Sequence, residues 1–333
     1  MKAIGFMMGH NTGDHMQRRT FIQAIGATGL GWPLAQAAAW PERPITFICP
    51  WPAGGTADAT MRALCSAAAK VLGQPIAVEN RAGAAGMLGL KAMSSAKPDG
   101  YTIGQIPISV TRFSQLGSVA IDPFKDLTYI ARTSAQTFGI AVRVESPWQT
   151  LRDFVADAKS RPGKINYGTS GIGGATHVGM EEFAMVAGIN MNHIPYKGGA
   201  PALQDLMGGQ IDALADSSSW APHVQTGRLR LLATWGASRT QAFPQVPTLR
   251  DAGFDVVVDA PNGVGAPKGI DTAIEAKLRE AFKVATASAE FSAACARIDA
   301  PVVYLDGPAY EKYVAETYRK ETVLIDKLKL KEL

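Results

Sequence analysis

Residues 50–58, PWPAGGTAD, follow the short apolar run 45–49 (ITFIC) and precede a segment whose apolar residues recur at helical spacing between 61 and 72. The stretch therefore predicts a turn between a strand and a helix. At a helix start about four N–H groups are unpaired and carry partial positive charge, so such a turn can bind an anion without a basic side chain. The glycine pair would let a ligand approach the backbone closely. The same residues also suit a tight turn whose hydroxyl caps the helix, and the turn alone does not separate these alternatives.

The order of strand, glycine-rich turn and helix recurs along the chain. Residues 76–80 and 101–106 are strand-like runs on either side of a glycine-rich turn and a short helix, and a second series starts at residue 138 with the glycine-rich turn 168–174. Repeated βαβ units predict an α/β fold with mainly parallel sheets covered by helices. After residue 260 we expect mostly helix, in the segments 272–287, 289–298 and 309–329. Ligands bind beyond the carboxyl ends of strands in such sheets, so the glycine-rich turns mark the candidate site.

Other chemistries need motifs that this sequence lacks. The first turn has no Gly-Lys-Ser/Thr, and residues 83–89 (GAAGMLG) have the wrong first spacing for a dinucleotide fingerprint. Ser170 and His177 are close in sequence, but residues 168–172 (GTSGI) do not form the G-x-S-x-G turn of a serine hydrolase. No pair among the five histidines has metal-ligand spacing. We therefore expect recognition without a reaction, a metal or a cofactor.

Composition and charge indicate a folded, nearly neutral protein. Of its 333 residues, 47% are hydrophobic and 19% are charged, and the net charge is +4. This balance suits a chain long enough for two domains and is too weakly basic for a nucleic-acid-binding surface. Cys49, Cys65 and Cys295 form no C-x-x-C pair, so we expect buried thiols rather than a disulfide or a zinc site.

The first 39 residues are typical of an export signal. Arg18 and Arg19 precede a short, weakly apolar stretch that ends in the small residues 35–39 (AQAAA), which predicts cleavage near residues 37–40. The paired arginines resemble a twin-arginine signal, and Met16 is an alternative start because residues 1–15 fit no signal template. The alternative is a surface helix over the same residues. We expect an exported protein.

Six stretches match one known pattern in order and in spacing. They are residues 43–62 (RPITFICPWPAGGTADATMR), 73–86 (GQPIAVENRAGAAG), 97–102 (KPDGYT), 162–179 (PGKINYGTSGIGGATHVG), 193–212 (HIPYKGGAPALQDLMGGQID) and 246–253 (VPTLRDAG). Together they resemble the substrate-binding receptors of tripartite tricarboxylate transporters, also called the Bug family. The resemblance extends from about residue 41 to the end of the chain.

The resemblance implies a two-lobed periplasmic-binding-protein fold (Venus flytrap, type II), in which each lobe is a mixed, mostly parallel sheet flanked by helices. Lobe 1 would comprise residues 40–141 and 259–333, and lobe 2 residues 142–258. The resemblance also implies a receptor that binds a small organic anion, usually a carboxylate, and delivers it to a membrane permease, with no cofactor and no catalysed reaction. We expect a monomer with no nucleic-acid partner.

Carried over to this sequence, the family's motifs imply that two turns grip the carboxylate. The residues implied are Trp51, Ala53, Gly54, Gly55, Thr56 and Asp58 in the first turn, Thr169, Ser170, Gly171, Thr176 and His177 in the second, and Tyr196 and Asp216 at the cleft border. Backbone N–H groups and the Thr56 hydroxyl would hold the ligand, while Asp58 would favour the helix dipole and order the loop. For Asp216, capping the helix through Trp220 is an equal alternative.

Arg112 departs from the family pattern, which usually has a hydroxyl-rich, Asn-Pro-containing segment after KPDGYT. It either pairs with a second carboxylate of the ligand or lies on the surface. Trp51 or Trp220 would stack on an aromatic ligand, although packing is the commoner role of tryptophan. Two other functions stay open at this point: an exported hydrolase that uses Ser170 and His177, and a ligand sensor that docks on a signalling protein.

Overall fold

A computed structural model describes residues 40–332, and the predicted export signal over residues 1–39 lies outside them. The strands are β1 (Ile45–Cys49), β2 (Ile76–Asn80), β3 (Thr102–Gln105), β4 (Leu127–Gln136), β5 (Phe138–Arg143), β6 (Asn166–Thr169), β7 (Asn192–Pro195), β8 (Ala213–Ser217), β9 (Leu229–Thr234), β10 (Ala260–Pro267) and β11 (Val302–Asp306). The helices are α1 (Thr56–Leu72), α2 (Met87–Ser94), α3 (Val110–Gln115), α4 (Leu151–Ser160), α5 (Ala175–Ala187), α6 (Gly199–Met207), α7 (Ala221–Gln225), α8 (Thr272–Thr286), α9 (Ala289–Arg297) and α10 (Gly307–Lys327).

The strands form two sheets, one in each lobe of an α/β fold. The six-stranded sheet of the first lobe has the order β11-β4-β10-β3-β1-β2, and the five-stranded sheet of the second lobe has the order β7-β6-β8-β5-β9. Both sheets are mixed. The βαβ units give the parallel pairs β1–β2, β1–β3, β6–β7 and β6–β8. The remaining pairs are antiparallel, so the prediction of mainly parallel sheets is corrected.

Three strands of the first sheet, β4, β10 and β11, are not predicted from the sequence, which indicates mostly helix after residue 260. Strand β10 (APNGVGAP) contains prolines and glycines, residues that are depleted in strands. The structure explains its glycines by close packing, because a Cβ on Gly263 would clash with the Tyr310 ring and one on Gly265 with Ile106. The three predicted C-terminal helices are present as α8, α9 and α10.

The chain crosses between the sheets at two adjacent segments. The first crossing is at Thr137, because β4 ends at Gln136 in one sheet and β5 begins at Phe138 in the other. The boundary expected at Val142 therefore falls inside β5. The return crossing ends at Ala260, where β10 begins. We call these two crossing segments, around Thr137 and before Ala260, the hinge.

Helix α1 follows the expected pattern from its first residue to its last. Gly55 is its N-cap, its buried face includes Met61, Leu64 and Ala68, and Gly73 ends it in the left-handed conformation. The three cysteines are buried free thiols. Among residues 40–332, no helix combines the length and the apolar character that a membrane span requires.

Candidate ligand-binding site

A cavity lies between the two lobes at the ends of both glycine-rich turns. The first lobe contributes Trp51, Pro52, Gly55, Thr56, Ala57, Pro107, Ile108 and Ser109, the crossing segments contribute Gln136, Phe138 and Ala260, and the second lobe contributes Ser170, Ala175, Thr176, Gly199, Asp216 and Ser217. Its volume is about 50 Å³. A single water needs roughly 10–15 Å³ of such space, so the cavity has room for a small polar group.

Asp58 stabilises the first turn through hydrogen bonds and an ion pair. Its carboxylate accepts hydrogen bonds from the Gly54 N–H (3.0 Å) and from Asn80 Nδ2 (2.7 Å), and it pairs with Arg62 Nε (2.9 Å). Burial acts to raise the pKa of Asp58, but the bonds from Arg62, Asn80 and Gly54 outweigh it and hold that pKa below its usual range. Asp58 is therefore ionised, orders the turn and favours the α1 dipole, the role expected from its place in the first helical turn.

Two hydrogen-bond donors of this turn have no partner among the described residues. The Thr56 hydroxyl is buried in a residue that is 4% exposed, and the indole Nε1 of Trp51 is also buried. Buried polar atoms are almost always bonded, and leaving one unpaired costs about 1–3 kcal/mol. Both residues line the cavity, so these donors point to a ligand that accepts hydrogen bonds.

The second turn is ordered by its own hydroxyls. Thr176 Oγ1 accepts a bond from the Ser170 N–H (3.2 Å) and pairs with Ser170 Oγ (2.8 Å). When Thr176 donates in this pair, the Ser170 proton is left for an acceptor in the cavity. Thr169 Oγ1 instead accepts from the Gly171 N–H (3.3 Å) and contacts His193 Nε2 (2.6 Å), away from the cavity lining.

His177, predicted to bind the ligand, lies outside the cavity lining and contacts the backbone of the second turn. Its Nδ1 accepts a hydrogen bond from the Gly173 N–H (3.1 Å), and its ring stacks on His193 with centroids 4.0 Å apart. Burial, reinforced by the Arg112 charge, lowers the pKa of His177 to about 4, so the ring is neutral at pH 7. Ser170 is bonded to Thr176 and not to His177, so the geometry gives no support to a hydrolase that uses this pair.

The stacked histidines predict a loss of stability in acid. Burial, with the neighbouring His177, also lowers the pKa of His193 to about 4, below the ordinary value of 6.5. At these two histidines the unfolded chain therefore binds more protons than the folded one between pH 6.5 and 4. Their contribution to the free energy of unfolding is present above pH 6.5 and is lost as the pH drops through this range. We expect wild type to lose on the order of 2 kcal/mol more than His177→Gln between pH 7 and 4.5, measured by urea unfolding. Parallel pH profiles for the two proteins would contradict the assignment.

Asp216 lies in the cavity wall at the end of β8. It is 3% exposed, accepts a hydrogen bond from Ser219 Oγ (2.5 Å), and lies so close to Gly199 that a Cβ there would clash with its carboxylate. Burial raises the pKa of Asp216 to about 7, against the opposing bonds from Ser219 and the Ser217 backbone. Asp216 does not take the alternative role of capping the helix through Trp220, because Ser217 is the N-cap of that turn and no side chain caps it. Trp220 is fully buried and donates from Nε1 to the Asp216 carbonyl (3.2 Å). Its indole packs on Phe243 and does not line the cavity.

Arg112 neither lines the cavity nor lies on the surface. It is 3% exposed and forms two bonds to Glu321 of α10, from Nε (2.7 Å) and from Nη2 (2.5 Å). Its Nη1 donates to the carbonyl of Gly173 in the second lobe (2.6 Å). The predicted carboxylate partner therefore exists, but it belongs to the protein itself, and Arg112 ties the two lobes together.

The cavity brings together six of the fourteen predicted residues, namely Trp51, Gly55, Thr56, Ser170, Thr176 and Asp216. The other eight, Ala53, Gly54, Asp58, Arg112, Thr169, Gly171, His177 and Tyr196, lie outside its lining. Tyr196 donates a hydrogen bond from its hydroxyl to Asp205 of α6 (2.6 Å) and so stabilises that helix. The prediction missed Ser109, Gln136 and Phe138, which come from the β3–α3 loop and the hinge, where no glycine-rich turn marks them.

Two α/β lobes around a cavity suit a protein that binds a small solute. The family model described as "Tripartite tricarboxylate transporter family receptor" matches residues 60–330. The UPF0065 protein in the gbd 5′ region of Cupriavidus necator is 42% identical over 323 residues, covering 95% of this chain and 99% of that protein.

Solved structures agree with the family match. The periplasmic binding protein BugD has a TM-score of 0.82 at 27% identity, covering 87% of this chain and 98% of its own. The structure of R. palustris Rpa4515 with adipate has a TM-score of 0.82 at 25% identity, with the same coverage of 87% and 98%. The chain therefore belongs to the tripartite tricarboxylate transporter receptor family, and it is a solute-binding receptor with the two-lobed periplasmic-binding-protein fold. This result confirms the predicted family and fold and gives no support to the hydrolase or sensor alternatives.

Proposed function

We propose that this receptor captures a small carboxylate-bearing metabolite between its lobes in the periplasm and delivers it to a membrane permease, without changing it chemically. The lobes would meet at Thr137 and near Val258, and the receptor would act as a monomer. The observation that carries the proposal is the pair of buried donors without a partner, the Thr56 hydroxyl and the Trp51 indole N–H, which belong to residues that line the cavity. A relative with adipate bound supports the choice of ligand class.

The chemistry of the cavity suits a carboxylate oxygen. Thr56 is the first residue of α1, a helix of 17 residues whose N-terminus supplies partial positive charge. Hydrogen bonds to an ionised acceptor contribute about 1.5–3 kcal/mol each, so the two free donors and Ser170 are sufficient to hold a small anion. The described residues that line the cavity include no side-chain cation, so recognition rests on these donors.

Thermal unfolding with a panel of ligands tests this function. The panel should contain mono-, di- and tricarboxylic acids, amino acids and aromatic acids, each with a control in which a neutral amide or alcohol replaces the carboxylate. A ligand at 100 times its Kd adds roughly 2.7 kcal/mol, which corresponds to a rise of several degrees in Tm. We expect a rise with one group of acids and none with its neutral analogues. Equal shifts with the neutral analogues, or none with any acid, would contradict the proposal.

Asp216 predicts how affinity depends on pH. A ligand carboxylate repels ionised Asp216 but accepts a hydrogen bond from the protonated form, which its pKa of about 7 makes available near neutral pH. Affinity for the acid found in the panel should therefore fall about tenfold from pH 6 to pH 8, because the protonated fraction falls by that factor. Calorimetric titration of wild type and Asp216→Asn measures this, and the variant should show no such dependence. Affinity that rises with pH in wild type would instead indicate a ligand ammonium at Asp216.

A further inference from the structure

A second and larger cavity lies behind the hinge. Its walls are the two crossing segments, helix α9 with the turn that follows it, and the loop of residues 236–242 in the second lobe. Its volume is about 890 Å³, within the range of roughly 300–1,000 Å³ that small-molecule sites occupy. We call it the hinge cavity. It is separate from the carboxylate site and needs no part of the proposed function.

Extended backbone separates the two cavities. Side chains alternate between the two faces of such a segment, and here Phe138 and Ala260 line the carboxylate cavity while Thr137 and Asp259 line the hinge cavity. Gln136 lines both. The hinge cavity therefore lies on the opposite side of the crossing segments, and apart from Gln136 its polar residues do not line the first site.

Asp299 occupies an unfavourable position in the wall of this cavity. It follows the end of α9 with φ at +49°, where the Ala300 N–H bonds to the carbonyl of Cys295 (3.0 Å), a turn that usually places glycine in the left-handed position. A carboxylate there also meets the partial negative charge of the helix C-terminus. Aspartate and asparagine both tolerate the left-handed conformation, so the penalty specific to Asp299 is its charge. Glycine or asparagine would avoid that penalty, so an aspartate at this position indicates a role beyond ending the helix.

The Asp299 carboxylate also lacks a counter-ion among the described residues. The residue is 9% exposed, and its Oδ2 has no hydrogen-bond partner within that part of the chain. Burial raises the pKa of Asp299 to about 6, with Thr240 and Thr137 opposing the rise, so it is still mostly ionised at pH 7. The other charged groups of the lining have partners: Asp259 pairs with Arg132 (3.1 Å), and Arg239 pairs with Asp251 (2.7 Å).

We propose that the hinge cavity is a second binding site, for a small organic cation whose primary ammonium group donates hydrogen bonds to the Asp299 carboxylate. An ammonium supplies both the missing donor and the missing positive charge, whereas a water molecule supplies only the donor. The hydroxyls of Ser238, Thr240 and Ser292 line the same cavity and offer further acceptors. A metal ion fits less well, because residues 40–332 contain no group of three potential side-chain ligands.

Calorimetric titration of the full chain with 1,4-diaminobutane tests the proposal. The neutral control is 1,4-butanediol, which has the same length and no charge. The matched variant is Asp299→Asn, because asparagine tolerates the left-handed conformation and removes only the charge. We expect the diamine to bind wild type at least tenfold more tightly than it binds the variant, and the diol not to bind. The Tm of the variant should equal or exceed that of wild type, because an unfavourable charge has been removed.

Two further variants distinguish diamine binding in the hinge cavity from binding in the carboxylate cavity. Ala296→Leu, on the exposed face of α9, narrows the hinge cavity without touching the carboxylate and should also weaken diamine binding. Thr56→Val, in the carboxylate cavity, should leave diamine binding unchanged. The proposals for the two sites are therefore tested independently. Equal diamine affinity for wild type and Asp299→Asn, diol binding as tight as diamine binding, or no heat at millimolar diamine would overturn the proposal and leave water as the occupant.

Discussion

Thr56→Val is expected to weaken carboxylate binding by about 10- to 150-fold while leaving the fold as stable as wild type, or slightly more stable. The factor corresponds to one charge-assisted hydrogen bond of about 1.5–3 kcal/mol. Stability should not fall, because the Thr56 hydroxyl has no partner among the described residues and its removal leaves nothing unpaired. Valine has the same shape as threonine and keeps the residue buried at the start of α1.

This pairing of lost affinity with kept stability distinguishes a ligand contact from a structural one. Calorimetric titration measures affinity, and urea unfolding without ligand measures stability. The matched control is Thr60→Val in the same helix, because the Thr60 hydroxyl bonds to the carbonyls of Thr56 and Ala57, both at 3.0 Å, and Thr60 lies outside the cavity lining. The Thr60→Val variant should bind the carboxylate as tightly as wild type. If Thr56→Val lowers stability and leaves affinity unchanged, Thr56 does not contact the ligand.

Arg112→Met is expected to lower the free energy of unfolding by about 3–5 kcal/mol, the usual effect of removing one partner of a buried ion pair. The variant leaves Glu321 without a counter-ion in a residue that is 9% exposed. It also removes the donor to the Gly173 carbonyl, one of the contacts between the lobes. Ligand affinity should fall as well, because the two lobes that surround the cavity lose that contact.

The double variant Arg112→Met with Glu321→Leu provides the control. Replacing both members of a buried pair by apolar residues of similar size is often nearly neutral, so the double variant should recover at least half of the lost stability. The Gly173 carbonyl still lacks its donor, so recovery should be incomplete. Urea unfolding of the wild type, both single variants and the double variant completes the cycle. Strictly additive losses would show that Arg112 and Glu321 do not stabilise each other.

The parts of the site that could be predicted are those encoded locally. The turn before α1 is predictable because the strand, the glycines and the apolar stripe of the helix are contiguous in sequence. Asp58 belongs to the same group, since its place in the first turn of the helix follows from the helix start. Ser170 and Thr176 are likewise six residues apart and bond to each other within one turn.

The parts that could not be predicted depend on contacts between distant residues. Arg112 and Glu321 are 209 positions apart, so nothing near Arg112 shows that its partner lies on the last helix. His177 looks like a ligand-binding residue in sequence, and only its stacking on His193 and its bond from Gly173 reveal a supporting role. Strand β10 could not be predicted because its glycines are explained only by the Tyr310 and Ile106 side chains that pack on them.

A crystal structure of the receptor with the acid that raises its Tm most would show directly whether the first turn holds a carboxylate. We expect carboxylate oxygens within hydrogen-bond distance, about 2.7–3.2 Å, of Thr56 Oγ1 and Trp51 Nε1. A ligand bound outside the cavity, or one that leaves both of these donors without a contact, would contradict the proposed site.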